Sequence, residues 1–174
     1  IWPVGPLAEE AYRTLLRRQK TFTVMPLPLN LEDYSSVKGS AHTTEDRETA
    51  CIKYIFVGEL NTRKGFDIVI DAFDLLRSKS IDFRLDVYGA GILKDRILKL
   101  AQQDSRIQYH GFLELKQVPA AYRSADIALC PSRHDGWGNN VIEALASGSS
   151  VIGSNRIESA VHSVSFLNGY ILST

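Results

Sequence analysis

Cysteine is scarce in this chain: Cys51 and Cys130 are the two among 174 residues. They stand far apart and form no metal or redox spacing, so they read as reduced thiols of a cytoplasmic protein. An excess of charge of one sign is also missing. Twenty basic and twenty acidic residues cancel, which excludes the clustered basic surface that grips nucleic acid or an anionic membrane. No apolar run approaches the roughly 18 residues of a membrane span. The opening IWPVGPLAEE lacks the basic-then-apolar order of a signal peptide. A phosphate loop of the form G-x-x-x-x-G-K-[ST] is absent. The dinucleotide fingerprint fails at YGAGILKD, where Lys94 stands in place of the third glycine, so Gly89 and Gly91 read as tight turns at a strand end. His42, His110 and His162 carry no metal spacing, and His134 reads as a loop histidine. The chain begins on Ile1 rather than Met and stops on NGYILST, as a piece of a longer protein would.

What is present is a rhythm. From residue 51 onward, short apolar runs alternate with helical patterns. The strands are expected at 53–58, 83–89, 106–112, 126–132 and 150–154, with a sixth at 169–173. Between them, Phe66, Val69, Ile70, Phe73 and Leu76 recur at helical spacing, as do Leu93, Ile97, Leu100 and Ala101. A third stripe holds Val118, Ala121, Tyr122 and Ala125, and a fourth helix, closed by Gly148, carries Ile142, Leu145 and Ala146. Continuous apolar strands joined by helices mean βαβ units. The fold class is therefore α/β, a Rossmann-like open parallel sheet with helices on both faces. Residues 1–50 fit the rhythm poorly. AEEAYRTLLRRQK reads as a helix, FTVMPLPLN as an extended segment and SSVKGSAHTTEDRET as a linker, which leaves residues 51–174 as the folded domain.

In such sheets ligands bind beyond the carboxyl ends of the strands, which puts weight on HDGWGNNVIEALASG at 134–148. Gly136 and Gly138 let the backbone approach a ligand closely. The helix starting near Asn139 offers amides and partial positive charge to a phosphate. Glu143, one turn in and opposite the apolar stripe, is suited to two neighbouring hydroxyls, since an ionised carboxylate only accepts hydrogen bonds. Each such bond contributes about 1.5–3 kcal/mol when buried. Asp135 can hold a sugar ring in the same way. Arg63 and Lys64, on the same sheet edge, supply charge for a diphosphate. Diphosphate, ribose diol and sugar together describe a nucleotide-sugar. The plainer readings are a solvated helix carboxylate for Glu143, a turn residue for Asp135, surface charges for Arg63 and Lys64, and loop packing for Trp137. Cys130 is most simply a small buried hydrophobe.

The segments FVGELNTRKGFDIVIDAF, DVYGAG, IQYHGFL, YRSADIALCPS and DGWGNNVIEALASGSSVI resemble the donor-binding C-terminal domain of retaining GT-B glycosyltransferases, the group 1, family 4-like enzymes. The resemblance runs in unbroken order over roughly residues 52–172. It implies the C-terminal half of a GT-B fold and makes Asp135 and Glu143 the catalytic pair. Glu143 would take the ribose diol and Asp135 the hydroxyls of the transferred sugar. Gly58, Arg63 and Lys64 fall in the diphosphate region, and Gly136, Trp137, Gly138, Asn139 and Asn140 in the sugar–phosphate turn. Phe112 and Leu113 fall beside the base. Glu59 replaces the arginine that many members carry in G-R-L, with Arg63 as the substitute charge. Asn139 and Asn140 stand where apolar residues are usual, and Ser150 where Pro is.

The implied partners are a nucleotide-diphosphate sugar as donor substrate and a glycan or lipid-linked acceptor bound by an N-terminal domain absent from this chain. No metal or other cofactor is implied. The implied activity is hexosyl transfer in glycan or polysaccharide biosynthesis, in the cytoplasm or at the membrane periphery, with the fragment alone inactive. Two other readings remain open: a non-catalytic nucleotide-sugar-binding module, and a sugar-nucleotide epimerase of GT-B architecture.

Overall fold

Apolar runs that can be buried on both faces become the central strands of a parallel sheet, and each needs a crossover helix to return the chain. In the computed structural model, which describes residues 6–15, Tyr34 and residues 51–173, six strands meet this demand. They are β1 (Ile52–Val57), β2 (Phe83–Tyr88), β3 (Ile107–Gly111), β4 (Ile127–Cys130), β5 (Ser150–Ser154) and β6 (Gly169–Leu172). The helices are α1 (Pro6–Leu15), α2 (Phe66–Arg77), α3 (Lys94–Gln103), α4 (Val118–Arg123), α5 (Asn139–Ala146) and α6 (Glu158–Ser163). All strand pairs are parallel, in the order β3-β2-β1-β4-β5-β6. The expected Rossmann-like sheet is thus present, with its topological switch between β1 and β4. The FTVMPLPLN and SSVKGSAHTTEDRET segments lie outside the described residues.

Alternation along β1 divides the core. Phe56 enters a cluster with Phe66, Val69, Ile70 and Phe73 of α2 and Ile97 and Leu100 of α3. Ile55 enters the opposite cluster with Val118, Ala121 and Tyr122 of α4, Val141 and Ala144 of α5, and Ala160 of α6. Helices therefore cover both faces. On the α2–α3 side, Phe73 meets Tyr54 and Phe83 edge to face at 5.3 and 5.2 Å, a geometry that contributes about 0.5–1.5 kcal/mol per pair beyond area burial.

Two details differ from the sequence expectation. The face that α5 buries is Val141 and Ala144, with Leu145 and Ala146 only partly covered and Ile142 outside the cluster. The helix is entered from Gly138 in the left-handed region at φ 82°, and the face it buries is the one that packs against α4 and α6. Helix α6 itself is unanticipated. It is short, but Ile157, Ala160, Val161 and Val164 do carry helical spacing.

Surface ion pairs tie this frame to pH. Arg133 forks onto Asp67 of α2 at 2.6 and 2.7 Å and donates to the Thr62 carbonyl. The Arg133 hydrogen bond holds the Asp67 carboxyl below the usual carboxylate range despite partial burial. Arg106 does the same for Asp104 while stacking on Phe83 at 4.2 Å. A carboxyl with a depressed folded-state pKa stabilises the fold above its unfolded pKa, and that stability is lost as pH falls through the folded value. The contribution of these two pairs to the urea midpoint should therefore be complete above about pH 5 and be lost below about pH 4. Asp67→Asn should lower the neutral midpoint and flatten the acid decline, as read by fluorescence.

Candidate functional site

Strand β4 ends because Pro131 has no N–H for the ladder, and the chain turns over the β1 end. There the two loops are joined. The Arg133 amide donates to the Arg63 carbonyl at 2.9 Å and the His134 amide to the same oxygen at 3.4 Å. Gly65, at φ 71°, sits so close to Pro131 that an added Cβ would lie 2.0 Å from its carbonyl oxygen. This seam brings Lys64 and Asp135 together as a largely buried ion pair. The Lys64 amide is in turn held by Asn61 Oδ1 at 2.9 Å.

Helix α6 supports the turn from behind. The Ser159 hydroxyl donates to the Gly138 carbonyl at 2.8 Å, and the Ser159 amide to the Trp137 carbonyl at 2.9 Å. The Asp135 amide donates to Arg156 at 3.3 Å. These contacts fix the entry of α5, so its first-turn amides and positive dipole end face one place.

That place is an open cavity of about 420 Å³ lined by Val57, Gly58, Lys64, Asp135, Gly136, Trp137, Gly138, Asn139 and Asn140. Asn140 donates its Nδ2 to Cys130 Sγ at 3.3 Å, while its buried Oδ1 has no hydrogen-bond partner. A second cavity of about 300 Å³ adjoins through Val57 and Gly58, with Glu59, Tyr88, Gly89, Ala90, Phe112 and Leu113 around it. Phe112 is 80% exposed there, an apolar plate beside the β2 and β3 ends. The two cavities form one cleft across the switch point.

The structure thus gathers most of the residues singled out in the sequence. Lys64, Asp135 and the turn from Gly136 to Asn140 share one cavity, Phe112 and Leu113 the other, and Gly58 both. Arg63 stands apart. Its exposed guanidinium pairs with Glu59 at 3.3 Å and reaches the His134 carbonyl at 3.4 Å, and it lines neither cavity. The arginine that was to offset Glu59 is engaged by Glu59 itself. Glu143 lies one turn along α5 from the cavity wall, partly buried. Burial pushes its carboxyl above the ordinary range, against a hydrogen bond from Tyr34 and the nearby Lys64 charge. Tyr34 was missed in the sequence because nothing in LEDYSS marks a contact so far along the chain. Cys130 is buried as expected, its thiol pushed up to about 12 by desolvation. Among the described residues no cluster of three or more His, Cys, Asp or Glu side chains could hold a metal ion. No described helix is long and apolar enough to cross a membrane.

Comparison with known proteins adds to this geometry. The family model for glycosyl transferases group 1 matches residues 52–172. A GDP-mannose-dependent alpha-(1-6)-phosphatidylinositol dimannoside mannosyltransferase of Mycobacterium tuberculosis is 31% identical over 134 residues, 76% of this chain and 35% of its own length. A mannosylfructose-phosphate synthase of Agrobacterium fabrum is 31% identical over 108 residues, 55% of this chain and 24% of its own. The chain therefore spans about a quarter to a third of the length of these relatives. Among solved structures, Anabaena HepE in complex with UDP and glucose superposes with a TM-score of 0.76 at 17% identity, over 99% of this chain and 48% of that one. The C-terminal domain of a group 1 glycosyl transferase from Francisella tularensis matches at 0.67 and 22% identity, over 84% of this chain and 80% of that one. At these identities the superpositions establish the fold.

Proposed function

The chain belongs to the glycosyl transferases group 1 family, and from that premise we propose that it is the donor-binding domain of a retaining hexosyltransferase. It would hold a nucleotide-diphosphate sugar while a partner domain presents a glycan or lipid-linked acceptor, in cytoplasmic glycan or polysaccharide assembly. The observation that carries this reading is the continuous cleft, with Lys64 and the α5 N-terminus at one end and the Phe112–Leu113 pocket at the other. The base enters the Phe112 side, the diphosphate lies across the Gly138–Asn140 amides beside Lys64, and the ribose diol is held by Glu143. The sugar reaches Asp135 beside Lys64.

Transfer makes the nucleoside diphosphate a leaving group whose charge grows in the transition state. Lys64 and the helix N-terminus stabilise that charge electrostatically, from positions fixed before reaction. Asp135 and Lys64 neutralise each other as an ion pair. A donor would relieve this, the phosphates drawing Lys64 and the sugar hydroxyls taking Asp135. Two relatives point the same way in name: the mycobacterial enzyme is GDP-mannose-dependent, and HepE was solved with UDP and glucose. A binding-only role is the second reading, supported by Glu59, whose pairing with Arg63 removes a cation from the diphosphate region.

Titration calorimetry with UDP, GDP and ADP in metal-free buffer tests the reading. Saturable binding of one of them is the expected result. No heat with any at millimolar concentration contradicts a self-sufficient donor site.

A further inference from the structure

Alternation along β1 decides where Glu59 leaves the backbone. The bonding of β1 to β2 continues past the strand, with the Gly58 amide donating to the Tyr88 carbonyl at 3.1 Å and the Leu60 amide to the Ala90 carbonyl at 2.8 Å. Successive side chains of such an extended run lie on opposite faces. Phe56 and Leu60 enter the α2–α3 cluster. Ile55 and Val57 belong to the other face, so Glu59 leaves on the side of Val57, which lines both cavities. Glu59 itself lines the Phe112 cavity, and no other described residue around that cavity carries a charge.

Arg63 does not use up this acceptor. Its Nη2 donates to Glu59 Oε2 at 3.3 Å while its Nη1 reaches the His134 carbonyl at 3.4 Å. Both side chains are about half exposed, and an ion pair so placed contributes little. A carboxylate offers about four lone-pair sites, so Glu59 can accept two more hydrogen bonds while Arg63 steadies it.

An ionised carboxylate only accepts, and that sorts the bases. Guanine presents two donors side by side, the N1–H and the 2-amino group, spaced for the two oxygens of one carboxylate. Adenine offers an amino group next to an acceptor nitrogen. Uracil offers one N–H between two carbonyl oxygens, which would face the negative charge. Stacking on Phe112 is open to any base, so it leaves the choice to Glu59. We propose that Glu59 is a specificity-determining residue that selects guanine, which makes the donor a guanosine-diphosphate sugar. This rests on the reading of the Phe112 cavity as the base site.

The test is calorimetric titration of the unsubstituted chain and of Glu59→Ala with GDP, UDP, ADP and inosine diphosphate. Inosine diphosphate is GDP without the 2-amino group. The ratio of those two affinities isolates the bond to that amine, and any change in repulsion of the phosphates cancels. GDP should bind about tenfold more tightly than UDP or ADP, and about fivefold more tightly than inosine diphosphate. In Glu59→Ala the ratio of GDP to inosine diphosphate affinity should fall to about one. UDP or ADP bound as tightly as GDP overturns the proposal and leaves the donor-site reading standing. A GDP preference that survives Glu59→Ala unchanged does the same. No binding of any nucleotide by the unsubstituted chain overturns the reading and the proposal together.

Discussion

If Glu143 holds the ribose diol as proposed, Glu143→Ala should lower nucleotide affinity by a factor of at least about 100. Two hydroxyls of a ribose each donate to an ionised carboxylate, and such charge-assisted bonds contribute about 1.5–3 kcal/mol each when shielded from water. Loss of both amounts to about 3–6 kcal/mol, and each 1.4 kcal/mol is tenfold. The fold should not suffer. Because burial raises the Glu143 carboxyl above its ordinary range, the folded state holds that proton more tightly than the unfolded chain does. The ionised group thus lowers stability as pH rises through the window between the two values. Glu143→Gln, which keeps the shape and drops the charge, should melt above the parent at neutral pH. That difference should shrink as the solution is acidified. Calorimetric titration and thermal scans read the two effects separately, and a variant that binds normally refutes the role given to this residue.

Gly65→Ala should be the more damaging change to the fold. At φ 71° a Cβ-bearing residue is disfavoured by about 1–2 kcal/mol, and here the new methyl would sit 2.0 Å from the Pro131 carbonyl oxygen. That neighbour is backbone and cannot swing aside, so the β1 and β4 loops must part, at a total cost of about 3 kcal/mol or more. Their separation breaks the bonds from Arg133 and His134 to the Arg63 carbonyl and moves Lys64 from Asp135. Both stability to urea and nucleotide affinity should fall. Gly136→Ala is the control for stability, because a Cβ there meets nothing within 4 Å. Equal urea midpoints for the two variants would show that the seam does not hold the loops.

How far the sequence could be read follows from what each residue answers to. The strands were legible because burial on both faces leaves a run of apolar residues, and Ser150–Ser154 is bounded as the sequence implied. The stripe on α2 was legible for the same reason: Phe66, Val69, Ile70 and Phe73 all enter one cluster. The DGWG turn could be placed at the strand edge because parallel topology dictates it. What escaped depended on which partners side chains and helices find in the folded chain. The α5 face was misassigned because Val141 and Ala144 are selected by α4 and α6 rather than by local periodicity. Arg63 was read as a phosphate ligand because position was visible and its engagement by Glu59 was not. Ser159, which clamps Gly138, lay in a six-residue helix too short to announce itself.

A crystal structure of the chain with a bound nucleoside diphosphate tests the central claim most directly. The account predicts the diphosphate against the Gly138–Asn140 amides and Lys64, the ribose hydroxyls on Glu143, and the base between Gly89 and Phe112. A nucleotide seated elsewhere, or lying in the cleft with its ribose turned away from Glu143, would contradict it.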